Sequence, residues 1–369
     1  MDGRPLAVRG ALMRPTMPGV ALVPRGAPSR LWTWVSPLLA LLLTVACGML
    51  LFGLLGKPPS QAVSMFFVEP LSSRRGVAEV LLKATPLALA AVGLALCFRA
   101  NVWNIGAEGQ LIAGSIAAAA VALAGSSAGW SAPAALAAAA LGGMLWASIT
   151  AWLRDRFNAN EILVSLMLVY VAQLLLSYVV HGPMKDPAGF GFPQSPMFDR
   201  AARLPLLLDG TRLHVGFLLA LAVAAAAWLL LARSVIGFQL RVAGLAPRAA
   251  RYAGFSSRRV LWTTMLVSGA LAGVAGGAEV TGPIGQLTPS VSPGYGFAAI
   301  IVAFVGRLHP LGVVAASVLM ALFYIGGELS QSRLGLPSSL TGVYQGLLLL
   351  FLLGADTLIL NRLRLRAAA

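Results

Sequence analysis

The sequence predicts an all-α integral membrane protein that crosses the bilayer about ten times. Three observations carry this expectation. The 369 residues are 58% hydrophobic and 11% charged, whereas a soluble domain is ~45–50% apolar and ~25% charged. The apolar residues gather in runs near the ~20 residues that a helix needs to cross a bilayer. The basic residues fall between those runs and favour alternate gaps, as the positive-inside rule requires of a polytopic chain.

Residues 1–30 hold Arg4, Arg9, Arg14, Arg25 and Arg30 among several prolines and read as a disordered, basic cytoplasmic tail. The apolar run behind them exceeds a signal-peptide core, so it reads as an uncleaved anchor. The membrane domain spans 31–362, with apolar runs at 31–56, 77–100, 102–124, 131–152, 161–181, 214–232, 260–281, 296–306, 310–330 and 340–360. The eighth is short. It is a half-helix, a re-entrant segment, or a span completed by its flanking loops. Residues 363–369 form a second cytoplasmic tail.

With the first helix running outward, the cytoplasmic connections receive Arg99, then Arg154 and Arg156, then the cluster from Arg233 to Arg259, then Arg307, with both termini inside. The longest external loop, 182–213, carries five prolines and reads as irregular, either capping a vestibule or linking two spans. Ten spans divide into five plus five, and an odd number per half would invert any internal repeat. Gly109–Ala119 and Gly306–Ala316 give a faint echo of one, each passing from a polar break into an alanine-rich helix.

The net charge of +15 does not indicate nucleic-acid binding, because the arginines are spaced for topology. Cys47 and Cys97 lie in separate spans, and His181, His214 and His309 stand at span ends without metal-ligand spacing. No Walker A motif is present, and no nucleophile with a base at helical spacing, so an enzyme is not expected.

Polar groups inside apolar surroundings, a short loop helix and a glycine stripe stand out. The segment Phe98–Gln110 places Arg99, Asn101, Asn104, Glu108 and Gln110 around Gly106 and Gly109 at the junction of two runs. Irregular backbone at membrane depth must line a cavity or be buried in protein, and the spacing of Asn101, Asn104 and Glu108 predicts a shared helical face. A capped helix start is the alternative. Glu161, Glu279 and Glu328 are further intramembrane acids, functional candidates because they are costly to insert. Glu79 and Lys83 form a favourable i,i+4 pair. In the loop 233–259, Pro247 and Gly254 bracket a helix of about seven residues, too short to be stable without a partner surface. Gly269, Gly273 and Gly277 recur every four residues and predict close helix packing.

The string NVWNIGAEGQ resembles the signature of permease subunits of nucleoside ATP-binding-cassette importers, within the ribose and branched-chain amino-acid permease group. The likeness continues in NEILVSLMLVYVA (160–172), RVAGLAPRAARYAG (241–254) and GYGFAAIIVAFVGRLHPLG (294–312), covering roughly 77–360 in the same order. The chain departs in its arginine-rich N-terminal tail and at Val169, where the family usually carries an asparagine. The resemblance implies a multi-pass permease of the bacterial inner membrane, importing nucleosides or, as the alternative, a sugar. It further implies a second permease subunit, a paralogue or another copy, a separate ATPase that binds ATP and magnesium, and an external substrate-binding lipoprotein. No cofactor is expected in this chain. Asn101, Asn104, Glu108, Gln110 and Glu279 are the expected pathway residues. Arg241, Gly244, Pro247, Arg248, Ala250, Arg251, Tyr252 and Gly254 form the expected ATPase-coupling loop. An ion-coupled secondary transporter using Glu108 or Glu279 is the competing reading.

Overall fold

The structure is a computed structural model that describes residues 20–25, 29–125 and 129–365. Arg4, Arg9, Arg14 and Arg366 of the expected tails lie outside them. In chain order the helices are α1 (Arg30–Leu54), α2 (Pro59–Val63), α3 (Arg74–Arg99), α4 (Ala107–Ala124), α5 (Ser131–Phe157), α6 (Glu161–His181), α7 (Gly216–Arg233), α8 (Val235–Leu245), α9 (Pro247–Tyr252), α10 (Ser257–Glu279), α11 (Tyr295–Val305), α12 (Pro310–Leu334) and α13 (Ser339–Leu360). Among the described residues, nine helices are long and apolar enough to cross a membrane: α1, α3–α7, α10, α12 and α13. The eighth apolar run becomes α11, whose 11 residues at ~1.5 Å each extend only about 16 Å. It is a half-helix.

The chain divides into two compact units, 1–47 with 347–369, and 48–346. In the first, β1 (Val20–Pro24) pairs antiparallel with β2 (Asn361–Leu365). Within the N-terminal tail expected to be disordered, residues 20–24 form this strand: both segments carry β-prone or alternating apolar residues, and each supplies the other's backbone hydrogen bonds. The Ser36 hydroxyl donates to Asp356 at 2.8 Å within the same unit.

In the second unit, α3 is the axis, buried along most of its length and packed on α10, α12, α11 and α7. A second layer joins α4, α5 and α10 through small residues. A Cβ on Gly273 would overlap the backbone of Ala139 and Gly143, and one on Gly114 would overlap Gly273 itself. Gly269 packs on Gly143 and Ala147, and Gly277 on Ala139. Lipid offers no hydrophobic drive for helices to associate, so such close backbone approach supplies much of the packing attraction. Phe66, Phe323 and Tyr344 close the other side, with the Phe66 and Tyr344 rings 4.4 Å apart.

The segment 182–215 is largely irregular, yet it is docked. Phe198 N–H bonds to the Gly285 carbonyl at 2.8 Å, Leu204 N–H to Thr281 at 2.8 Å and Ser195 N–H to Leu287 at 2.9 Å. His214, expected at an interface, is instead 1% exposed between Gly216 and Gly282. The missing side chains of those glycines leave the space that the imidazole fills. Its Nδ1 accepts from Gly216 N–H at 3.1 Å, and burial pushes its pKa down to about 4.

Candidate translocation and coupling sites

Helix α3 stops at Asn101, which takes the left-handed conformation at φ 57°. Its N–H and that of Val102 bond back to Phe98 and Cys97, a Schellman-type closure for which asparagine is a tolerated residue. The Asn101 side chain accepts from Trp103 Nε1 at 3.1 Å, and Trp103 lies against Phe98 and Phe304. Residues 101–106 are not helical. The expected common face of Asn101, Asn104 and Glu108 is therefore absent, because Asn104 turns its Oδ1 onto Gly106 N–H at 3.1 Å and breaks the helix there.

Asn104 is fully buried and fully bonded. Its amide exchanges two hydrogen bonds with Gln110, both 2.9 Å, and donates to Ser268 of α10 at 3.0 Å. Ser165 of α6 accepts from Ile105 N–H at 3.2 Å. The polar segment is thus buried within protein, one of the two settings that irregular backbone requires at this depth. Ser165 and Ser268 escaped sequence reasoning, although an isolated serine in an apolar run is a signal for an interhelical hydrogen bond.

Glu108 is 2% exposed and accepts from Gly296 N–H at 2.6 Å, while Ser292 accepts from Tyr295 N–H at 3.1 Å. Two free N–H groups at the start of α11 are thereby satisfied, one by its own loop and one by a carboxylate from α4. A negative charge there also complements the helix dipole. Gly296 is required by this contact, since a Cβ would collide with the Glu108 backbone.

Glu279 is buried near the positive charges of Lys83 and Arg212. Lys83 lies 5.7 Å from the Tyr295 ring centroid and 3.1 Å from Glu328. Glu79, expected to pair with Lys83, is taken instead by Arg212 through two parallel bonds of 2.9 and 2.7 Å, the fork geometry that an ammonium cannot offer. That pairing raises the Arg212 pKa. With the Glu69–Arg333 ion pair, Glu79, Arg212 and Glu328 line a cavity of about 480 Å³ at the α3 start.

At the opposite end of α3, α9 is a six-residue helix. Pro247 begins it and Gly254 follows it at φ 82°. Ala250 is buried, whereas Arg248, Arg251 and Tyr252 point outward, Tyr252 98% exposed. Gly244 lets α8 touch the Arg99 carbonyl, where a Cβ would overlap. Arg241 lies near Arg99 rather than beside α9. Next to α9, Asp155 of α5 accepts from Arg258 at 2.7 Å and Trp262 at 3.1 Å, and Arg154 pairs with Glu161 at 3.0 Å. These links join α5, α6 and α10 around a cavity of about 350 Å³ that Pro247 and Ala250 also line. In the sequence, Asp155 looks like a break between two topology-setting arginines, and its partner lies 103 residues away.

Residues 76–353 match the family described as branched-chain amino acid transport system / permease component. A glucose ABC transporter permease of Haloferax volcanii is 37% identical over 87% of this chain and 87% of its own length. A guanosine ABC transporter permease of Bacillus subtilis is 32% identical over 85% of this chain and 91% of its own. A nucleoside ABC transporter permease of Lactococcus lactis is 25% identical over 86% and 89%. With its buried axis, half-helix and exposed short helix, the chain belongs to the branched-chain amino acid transport system / permease component family, among the membrane-spanning subunits of ABC transporters.

Proposed function

We propose that this chain is the membrane subunit of an ATP-driven importer for a small polar solute, nucleosides in the first place, in a bacterial inner membrane with both termini in the cytoplasm. The observation that carries the coupling part is α9. A helix of six residues is not stable alone, and this one is anchored only by its inner face while Arg248, Arg251 and Tyr252 stand free of tertiary packing. That exposed face docks into a separate ATPase subunit, which supplies ATP and magnesium chemistry. The chain pairs with a second permease subunit, a paralogue or another copy, and takes solute from an external binding lipoprotein.

In the pathway, Asn104, Gln110 and Glu108 act as positioning residues. They fix the start of α4 against α10 and the start of α11, so that movement of the cytoplasmic ends reaches both helices. Glu279, beside Lys83, Arg212 and Tyr295, stands nearer the external entrance. Asn101 marks the cytoplasmic end.

Nucleoside specificity draws support from the guanosine and nucleoside permeases among the relatives. A sugar is the second reading, favoured by the 37% identity to a glucose permease. Uptake of labelled guanosine and labelled glucose by the chain co-expressed with its ATPase and binding protein separates them. Guanosine uptake that unlabelled glucose does not compete supports the first reading, and the reverse pattern replaces it. Arg248→Glu with Arg251→Glu should abolish ATPase co-purification at unchanged membrane content, and normal co-purification would remove α9 from the coupling role. Reporter fusions at Gly189 and Ser332 should read outside, and at Asp155 and Ala246 inside.

A further inference from the structure

Not all of the basic groups near the end of α3 are explained by topology or coupling. Arg99, Arg241 and His309 line one small cavity of about 150 Å³ together with Trp228, Leu231 and Pro310. Arg99 spends its Nε on the Leu308 carbonyl at 2.8 Å, and Arg241 spends its Nε on Gly237 of its own helix at 3.3 Å. Among the described residues neither guanidinium has a carboxylate partner. Asp155 and Glu161, the acids of the neighbouring cavity, are held by Arg258 and Arg154. Burial and the charge of Arg99 lower the His309 pKa.

Two like charges directed into one pocket repel, and the fold gathers them by a specific device. Gly244 brings α8 onto the end of α3, and Arg241 lies one turn earlier on that helix. At ~30 Å³ per water the cavity holds about five waters, the size of a phosphate group and not of a nucleotide. Its apolar wall is lipid-side in character. Trp228 is exposed near the end of α7, as are Leu229 beside it and Leu218 and Leu221 toward the start of the same helix, as an interfacial tryptophan and acyl-chain contacts would be.

We propose that Arg99, Arg241 and the Trp228 wall form a binding site for the phosphodiester headgroup of an anionic phospholipid. Two terminal guanidinium groups converge on one phosphate, which removes their mutual repulsion, while the acyl chains lie along α7. Placement in the cytoplasmic leaflet rests on the orientation proposed above, whereas the binding itself does not depend on which leaflet is occupied. Reporter fusions therefore fail separately from a lipid measurement. Through Arg241 and Gly244, the bound headgroup would hold α8, and with it α9, against α3.

The test is native mass spectrometry of the full-length chain in micelles doped with phosphatidylglycerol or phosphatidylcholine. The protein should retain one phosphatidylglycerol in preference to phosphatidylcholine. Arg241→Gln, whose Nε bonds only within α8, should weaken retention about fivefold, and Arg99→Gln with Arg241→Gln about twenty-five-fold, from the contribution of each basic residue near a membrane surface. Arg156→Gln, an exposed arginine on the same side, should leave retention unchanged. Equal retention by Arg241→Gln and the unsubstituted protein overturns the site. Displacement of the lipid by millimolar inorganic phosphate, with equal protection by phosphate alone, assigns the pocket to a free anion and overturns the lipid assignment.

Discussion

Replacing Asn104 by alanine tests whether the buried amide joint is structural, functional or both. The side chain makes four hydrogen bonds, to Gln110 twice, to Ser268 and to Gly106 N–H. Interhelical hydrogen bonds in membranes average ~0.6 kcal/mol each, and up to ~1.7. On that scale the four bonds, of which only the one to Ser268 reaches another helix, give a loss of about 2–4 kcal/mol, the upper part reached because both ends of the Gln110 amide become unpaired in a site with 1% exposure. Asn104→Ala with Gln110→Leu removes both partners, and such a double replacement is nearly neutral where shape is kept. Thermal unfolding of the purified chain should therefore show a large loss for Asn104→Ala, recovered by at least half in the double variant. The coupling energy from the full cycle should exceed about 1 kcal/mol. Uptake by the recovered variant then separates the roles: a stable but inactive protein assigns the amides to transport as well. Additive losses in the two single variants would refute the joint itself.

Three further outcomes follow from particular contacts. Gly273→Val should abolish accumulation of folded protein, because its side chain would enter the Ala139 and Gly143 backbone, while Gly342→Ala, with open space around it, should be neutral in fluorescence-detected size exclusion. Asp155→Arg and Arg258→Asp should each lower transport per ATP hydrolysed, and the combined exchange should restore part of it; a double variant no better than either single one would exclude the ion pair from coupling. His214 is held at a pKa of about 4 in the folded chain, below its unfolded value of ~6.5, so protonation favours the unfolded state. Stability should be constant above pH 6.5 and fall by about 2 kcal/mol between pH 6.5 and 5, a slope that His214→Phe should remove from the thermal unfolding profile.

Much of the fold was legible in the order of the residues. Crossing a bilayer requires length and apolarity, both local properties, so nine long spans and one short run could be read without a structure. Pro247 and Gly254 bracket α9 for equally local reasons, a fixed φ at one end and a positive φ of 82° at the other. The strings from Asn101 to Gly312 pointed to the permease family, to which the match over residues 76–353 assigns the chain.

What the tertiary structure alone decided is how polar groups pair. Asn101, Asn104 and Glu108 stand at spacings that suit one helical face, yet Asn104 prefers Gly106 N–H and ends the helix, so the three perform separate tasks. Glu79 has Lys83 one turn away but joins Arg212, 133 residues distant, because a guanidinium offers two bonds where an ammonium offers one. Glu108 satisfies a half-helix 188 residues later in the chain. A buried carboxylate or amide must be satisfied by whatever the fold brings within 3 Å, and sequence separation carries almost no information about which group that will be.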